Sequence, residues 1–288
     1  MTGPWLILGC GYTGTQLART LVARPELAGD ITITRRDGEV ARALGAALGV
    51  RGERAELAEL ARPARAGGLK VPPGAIVVCL APPGEDPAGE IRGLVAATRT
   101  AARIVYVSST GVYGPGHGAW VDEAWPIAPI TESGRARAAA EAALAEATVP
   151  WVALRAAGIY GPGRGLIDRI RAGTYRVIGD GTSHVGRIHV VDLVAAILAA
   201  GTTSITGPVN VADDDPAPIG EVSDAIAARL GLPPPPRVPV AAVSPEVAGM
   251  LTADRRIANH RLRHELGVAL RYPSWRDALA SALTAAAP

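Results

Sequence analysis

The chain has 288 residues, 48% hydrophobic and 19% charged, which is enough apolar material for one large or two modest cores and excludes disorder as the main state. Lys and Arg number 29 against 27 Asp and Glu, a formal net charge of +2 with the basic residues scattered, so neither nucleic acid nor an anionic membrane has an electrostatic footprint here. No apolar run reaches the roughly 20 residues that span a bilayer, and the N-terminus lacks the order of a signal peptide, which predicts a cytoplasmic protein. Cys10 and Cys79 have neither disulfide nor metal-ligand spacing and lie in apolar strand-like settings, so buried inert thiols and no metal are expected. Lys70 is the only lysine, phenylalanine is absent, and Ala, Gly and Pro abound, a composition that fits a GC-rich bacterial genome. Any chemistry that needs a lysine must use Lys70 or do without one.

Apolar runs bounded by turn residues alternate with Ala-rich stretches, the pattern of βαβ units around a parallel sheet. Trp5 to Leu8 reads as a first strand. Leu17, Leu21 and Val22 then share one side of a helix from about Thr13 to Ala23, which Pro25 ends. A second strand runs from Ile31 to Thr34. Residues 37–68 are helical in flavour, with a brief strand around Gly49, Val50 and Gly52. Ala75 to Leu80 and Ile104 to Ser108 are continuous apolar runs suited to burial on both faces of a parallel sheet. A helix is expected over Ala136 to Ala147 and a strand over Trp151 to Leu154, followed by helices near Leu166 to Ala172, Val191 to Ala200 and Ile219 to Leu230. Pro233 to Pro236 makes a stiff extended connection.

The first strand runs directly into Gly9-Cys10-Gly11-Tyr12-Thr13-Gly14 and a helix, the context in which a GxGxxG turn binds a dinucleotide. Gly9 permits the tight turn, Gly11 lets backbone N–H groups approach a pyrophosphate, and Gly14 lets the helix pack closely on the sheet. At the end of the second strand, where an NAD site usually places Asp or Glu, stand Thr34, Arg35 and Arg36. Two guanidiniums and a hydroxyl suit a 2′-phosphate, so NADP(H) is the expected cofactor. Tyr12 and Thr13 in the turn, Leu80 and Ala81 after the third long strand, and Ala157 complete the expected cofactor contacts.

Ser108-Ser109-Thr110-Gly111-Val112-Tyr113-Gly114, Arg155 to Arg164 (RAAGIYGPGR), Arg187 to Asp192 (RIHVVD) and Val209-Asn210-Val211 follow in order. With these motifs nearly the whole chain resembles the extended short-chain dehydrogenase/reductase superfamily, the group of sugar-nucleotide epimerases and dehydratases. The resemblance implies a Rossmann-type doubly wound parallel sheet, α/β in class, with a smaller C-terminal α+β substrate domain. Residues 1–157, with part of 185–205, are the expected NADP-binding domain, and 158–288 mainly the substrate domain, interleaved with the first. The family's Ser or Thr four residues before the tyrosine of VYG polarises the substrate carbonyl, which selects Ser109.

The family's YxxxK pair falls on Ser133 and Arg137, aligned on the helix that ends in Glu141. Since the only lysine is Lys70, far upstream, a Tyr-Lys couple does not exist in this chain. Arg137 supplies charge and a ribose contact but stays protonated, and an isolated Ser133 hydroxyl has no partner to make it an acid. Residues 129–141 (PITESGRARAAAE) resemble the atypical branch of the superfamily that lacks the pair. Dehydratases carry Asp-Glu just before VYG, where this chain has Thr110-Gly111. Other candidates for moving a proton are Tyr113, Tyr160, His117, His184, Asp122 and Glu123, with His184 in the stretch where the family lines its substrate pocket; His189 and Asp192 read as structural. The expectation is therefore an NADP(H)-dependent oxidoreductase acting on a small-molecule carbonyl, imine or alkene, with a homodimer left open. A non-catalytic NADP-binding sensor, or a lyase, isomerase or cyclase on the same scaffold, is the alternative.

Overall fold

Residues 3–60 and 69–284 are described by a computed structural model. In chain order they form β1 (Trp5–Leu8), α1 (Tyr12–Val22), β2 (Ile31–Arg35), α2 (Gly38–Leu48), β3 (Arg51–Arg54), α3 (Leu57–Leu60), β4 (Ile76–Cys79), α4 (Pro87–Ala97), β5 (Arg103–Ser109), β6 (Trp120–Val121) and α5 (Glu132–Leu144). There follow β7 (Trp151–Ala156), β8 (Gly158–Tyr160), α6 (Leu166–Arg171), β9 (Val177–Ile178), β10 (Arg187–His189), α7 (Val190–Thr202), β11 (Gly207–Val211), α8 (Ile219–Arg229), β12 (Arg237–Val238), α9 (Pro245–Leu251), β13 (Arg256–Ile257) and α10 (Trp275–Thr284). Seven parallel strands make one sheet in the order β11-β7-β5-β4-β1-β2-β3, the doubly wound Rossmann arrangement expected from the sequence. The order reverses between β1 and β4, and ligands bind such sheets beyond the carboxyl ends of the strands flanking that point.

The chain divides into two compact units, one of Met1–Ser108, Ala136–Leu154 and Val194–Pro208, the other of Ser109–Arg135, Arg155–Leu193 and Val209–Pro288. In the first, Leu6, Leu8, Val77, Cys79, Ile104 and Tyr106 alternate along β1, β4 and β5 and pack with Leu94, Ala140 and Leu144 of the helices. Two of the differences from the expected element boundaries have a plain local cause. The strand expected around Gly49 to Gly52 lies at Arg51–Arg54, because Gly49, at φ +71°, ends α2 in a left-handed turn whose Val50 N–H bonds the Gly45 carbonyl. Helix α5 starts at Glu132 rather than near Ala136, since Thr131 Oγ1 accepts the Gly134 N–H at 3.1 Å and caps a polar first turn. Residues 61–68, part of the expected helical stretch, lie outside the described residues.

The second unit holds three short parallel pairs, β8 with β10, β9 with β12 and β6 with β13. The sequence division at 157 leaves 109–135 in the cofactor domain, whereas here that segment packs with the second unit. Pairing of β6 with β13 and the Arg255 guanidinium donating to Tyr113 O at 2.5 Å tie it there. Its polar centre is Asn210, which is fully buried. The Asn210 amide donates to Val121 O and Ala258 O and accepts from Tyr113 Oη at 2.7 Å, and its backbone N–H donates to Glu123 Oε1 at 2.7 Å. A separate apolar core gathers Tyr175, Val177, Val222, Ile226, Trp275 and Leu279.

Asp213, buried near this core, has its carboxyl pushed up from 3.8 to about 8 by burial, against the opposing charge of Arg187. The folded chain thus holds a proton that the unfolded chain releases near pH 4, so stability falls as pH rises from about 4 to about 8, by at most about 1.4 kcal/mol per pH unit. Denaturant titrations of Asp213→Asn across that window are expected to show a flatter pH dependence than the unmodified chain and a relative gain near pH 8. An unchanged slope counts against this assignment.

Candidate cofactor site

At the carboxyl ends of β1, β2 and β4 the first unit opens a cleft of about 260 Å³ lined by Gly9, Gly11, Thr34, Arg35, Arg36 and Ala81, with Ala55, Leu57 and Leu60 forming an apolar end. The glycines shape it in three ways. Gly9 has φ +79°, and a Cβ there would sit 2.7 Å from the Ala81 nitrogen, so no side chain fits. A Cβ on Gly14 would press within 3.1 Å of Leu80, the close packing of α1 on the sheet. On Gly11, by contrast, the nearest atom is the Gly9 carbonyl oxygen at 4.0 Å, so a Cβ would project into the cleft and not into protein. Gly11 also heads α1 with no side chain capping the helix, which leaves backbone N–H groups and the positive end of the helix dipole for an anion. A pyrophosphate fits this cradle.

Thr34 is almost fully buried; its Oγ1 accepts the Gly9 N–H at 3.4 Å and its carbonyl accepts the Cys10 N–H at 2.8 Å. The threonine therefore steadies the turn, leaving Arg35, half-buried, and Arg36, exposed, as the cations of the cleft. Tyr12 and Thr13 open α1, and Leu80 and Ala81 follow β4. Glu90 is a cleft carboxylate that sequence reading missed: 2% exposed, it accepts the Gly84 N–H at 2.8 Å and fixes the loop after Ala81. Burial pushes the Cys79 thiol up to about 12 and raises Cys10 as well.

Arg137, on the second turn of α5, donates to Val107 O at 2.5 Å and to Tyr106 Oη at 3.1 Å, its guanidinium lying over the Tyr106 ring. Burial raises the Tyr106 hydroxyl above its ordinary range. One turn further, Glu141 accepts from Ser108 Oγ at 2.5 Å. These contacts link distant positions and have no local sequence signal.

In the second unit, Ser109 Oγ accepts the Gly111 N–H at 3.0 Å, an arrangement that leaves its O–H free to donate. Tyr113 is fully buried, and its hydroxyl donates to Asn210 and accepts from Arg155 Nη1 at 2.8 Å. Ser133 is not isolated as the sequence suggested: its hydroxyl donates to Glu246, whose carboxylate also accepts the Glu132 N–H at 2.8 Å and caps α5. The Ser133 hydrogen bond, ahead of two backbone ones, holds the Glu246 carboxyl below its ordinary range. His184 bonds Asp254 through Nδ1 at 2.8 Å. Ala157 is buried, its N–H on Val211 O. Burial raises the Tyr160 hydroxyl far above its ordinary range and holds the His189 imidazole down at about 4, while Asp192 accepts the Arg271 and Tyr272 N–H groups. Asp122 caps its own turn through the Ala124 N–H.

Known proteins agree with this geometry. The chain is 36% identical over 156 residues to a 3-diazoavenalumate denitrifying reductase from Streptomyces sp., a match covering 50% of this chain and 51% of that protein, so the chain spans about half the length of the curated relative it matches. A functionally unknown conserved protein from Silicibacter pomeroyi superposes with a TM-score of 0.82 at 30% identity, covering 99% of both chains. Human epimerase family protein SDR39U1, solved with NADPH, gives a TM-score of 0.76 at 20% identity over 96% of this chain and 98% of its own. Residues 5–212 match the family described as NAD dependent epimerase/dehydratase. The sheet order, the glycine cradle and these matches agree that the chain belongs to the NAD dependent epimerase/dehydratase family, on the extended short-chain dehydrogenase/reductase scaffold.

Proposed function

We propose that the chain is an NADPH-dependent reductase that delivers hydride to a small-molecule carbonyl, imine or related electrophile. The observation that carries the reading is the pairing, in one cleft, of the Gly11 cradle with Arg35 and Arg36 and with no carboxylate at the end of β2. Guanidinium forks bind a 2′-phosphate through charge-assisted hydrogen bonds, whereas a carboxylate there would favour the bare ribose hydroxyl. Bound in the cleft, the nicotinamide nucleotide supplies the hydride. Gly11 and the head of α1 hold the pyrophosphate, the two arginines hold the 2′-phosphate, and Arg137 adds a fixed positive charge. Ser109, with its O–H free, orients the electrophile and donates to the oxygen or nitrogen on which charge develops. Tyr113, engaged at both its donor and its acceptor, keeps the SSTGVYG loop in shape and takes no part in proton transfer. The reductase relative supports redox chemistry over the sensor and lyase readings, and its diazo substrate belongs among the probes.

Calorimetry is expected to show NADPH bound more tightly than NADH, and Arg35→Ala/Arg36→Ala to cost NADPH about 10- to 100-fold in affinity while leaving NADH nearly unchanged. Equal affinities of the unmodified chain for the two nucleotides overturn the 2′-phosphate assignment.

The two turn glycines separate folding from binding. Gly9→Val is expected to destabilise the fold severely, through its left-handed φ and the Ala81 backbone, whereas Gly11→Val retains the melting temperature and loses both nucleotides. Nucleotide binding by Gly11→Val would place the pyrophosphate elsewhere.

For catalysis, Ser109→Ala is expected to lower turnover about 10²- to 10³-fold with NADPH affinity unchanged. Consumption of NADPH with phenanthrenequinone, a cyclic imine and 3-diazoavenalumate is the assay. An undiminished Ser109→Ala variant removes the serine from the mechanism.

A further inference from the structure

The cleft of the first unit holds a carboxylate oxygen that the protein itself does not use. We propose that Glu90, on the first turn of α4, selects the base of the nucleotide by accepting a hydrogen bond from the exocyclic amine of adenine. The inference rests on the nucleotide placement given above and not on the hydride step.

Glu90 is 2% exposed, and taking a carboxylate out of water is costly unless donors meet it. One donor is the Gly84 N–H, on Oε2 at 2.8 Å. The carboxylate lies so close to Gly84 that a Cβ there would sit 2.5 Å from Oε1, so the glycine leaves the room that the carboxylate fills. No described residue donates to Oε1, and α4 has no need of it, because Asp86 caps the helix through the Gly89 N–H at 2.9 Å. Glu90 lines the cleft, and Oε1 is not among the unpartnered atoms sealed inside the protein, so this oxygen is open to a ligand that brings a donor.

The donor that suits it is set by what surrounds it. One turn beyond Glu90, Gly93 packs against the Leu60 backbone of α3, which puts Glu90 at the apolar end of the cleft with Leu57, Leu60 and Leu69. In NADP(H) the 2′-phosphate and the base are borne on adjacent carbons of one ribose, so a 2′-phosphate held by Arg35 and Arg36 brings the base to the part of the cleft beside them. The leucines offer the apolar surface that a flat heterocycle seeks. Adenine carries an amine donor on its rim where hypoxanthine carries a carbonyl acceptor. The amine satisfies Oε1, whereas a carbonyl would set acceptor against acceptor and leave a buried carboxylate oxygen unpaired. Glu56, the other carboxylate among the lining residues, is half-exposed and faces the Arg54 guanidinium at 3.6 Å, so it is already engaged.

The test is equilibrium binding by the full chain and needs no turnover. Calorimetry is expected to show NADPH bound about 10- to 100-fold more tightly than its hypoxanthine counterpart, the loss of one hydrogen bond to a charged partner. Adenosine 2′,5′-bisphosphate and inosine 2′,5′-bisphosphate are expected to show the same ratio, because they keep the base and the 2′-phosphate and lack the nicotinamide. In Glu90→Gln the amide oxygen still accepts the Gly84 N–H and the amide NH₂ turns to the cleft, so the ratio is expected to fall at least tenfold at an unchanged melting temperature, whereas Glu56→Gln leaves it as it was. Equal affinities of the unmodified chain for NADPH and the hypoxanthine analogue overturn the proposal and leave the cofactor reading standing, a test that holds whatever the stability of the variants. A folded Glu90→Gln variant that keeps the full preference, or a Glu56→Gln variant that loses it, also overturns the proposal. Failure of the unmodified chain to bind NADPH at all overturns the cofactor reading and this inference with it.

Discussion

The cleft depends on a single steric fact: the Gly9 Cα and the Ala81 backbone lie so close that a methyl group at Gly9 would sit 2.7 Å from the Ala81 nitrogen. That contact brings the ends of β1 and β4 together at the point where strand order reverses. It turns the chain sharply enough for α1 to begin at Tyr12, and it faces the bare head of the helix toward the cleft. Thr34 reinforces the turn from the other side, through its hydroxyl on Gly9 and its carbonyl on Cys10. With both flanks fixed, the backbone N–H groups are ordered before any ligand arrives, and an anion need not pay to organise them.

Arg137 of α5 places a guanidinium beside the end of β5. The Arg137 guanidinium is held by the Val107 carbonyl and the Tyr106 hydroxyl and lies over the Tyr106 ring. Tyr106 offers no compensating acidity, because burial raises its hydroxyl above the ordinary range.

Much of this was legible in the sequence, and the limits have physical causes. The long strands announced themselves as apolar runs because both faces of a parallel sheet are buried. The tight turn at Gly9 and the close packing at Gly14 followed from their place between a strand and a helix. The second unit was harder, since its strands have two or three residues each, too few to show a period. The partners of the site residues were not readable at all: Glu246 meets Ser133 across 113 positions, and Asp254 meets His184 across 70. The helical start at Glu132 was missed for the same reason, its polar first turn being stabilised by Thr131 and by a carboxylate from far downstream, neither of which adds apolar periodicity.

The Glu246 cap also bears on how the chain is made. Ribosomes release residues in order, so the whole of α5 has emerged more than a hundred residues before its capping carboxylate exists. During that interval the first turn, with Ser133 on it, has only Thr131 to satisfy its N–H groups, and helix ends without partners fray. Synthesis of α9 is then what locks the entry to α5, so the first turn of the helix that carries Ser133 and Arg137 gains its cap only after the glycine turn at residues 9–14 has emerged.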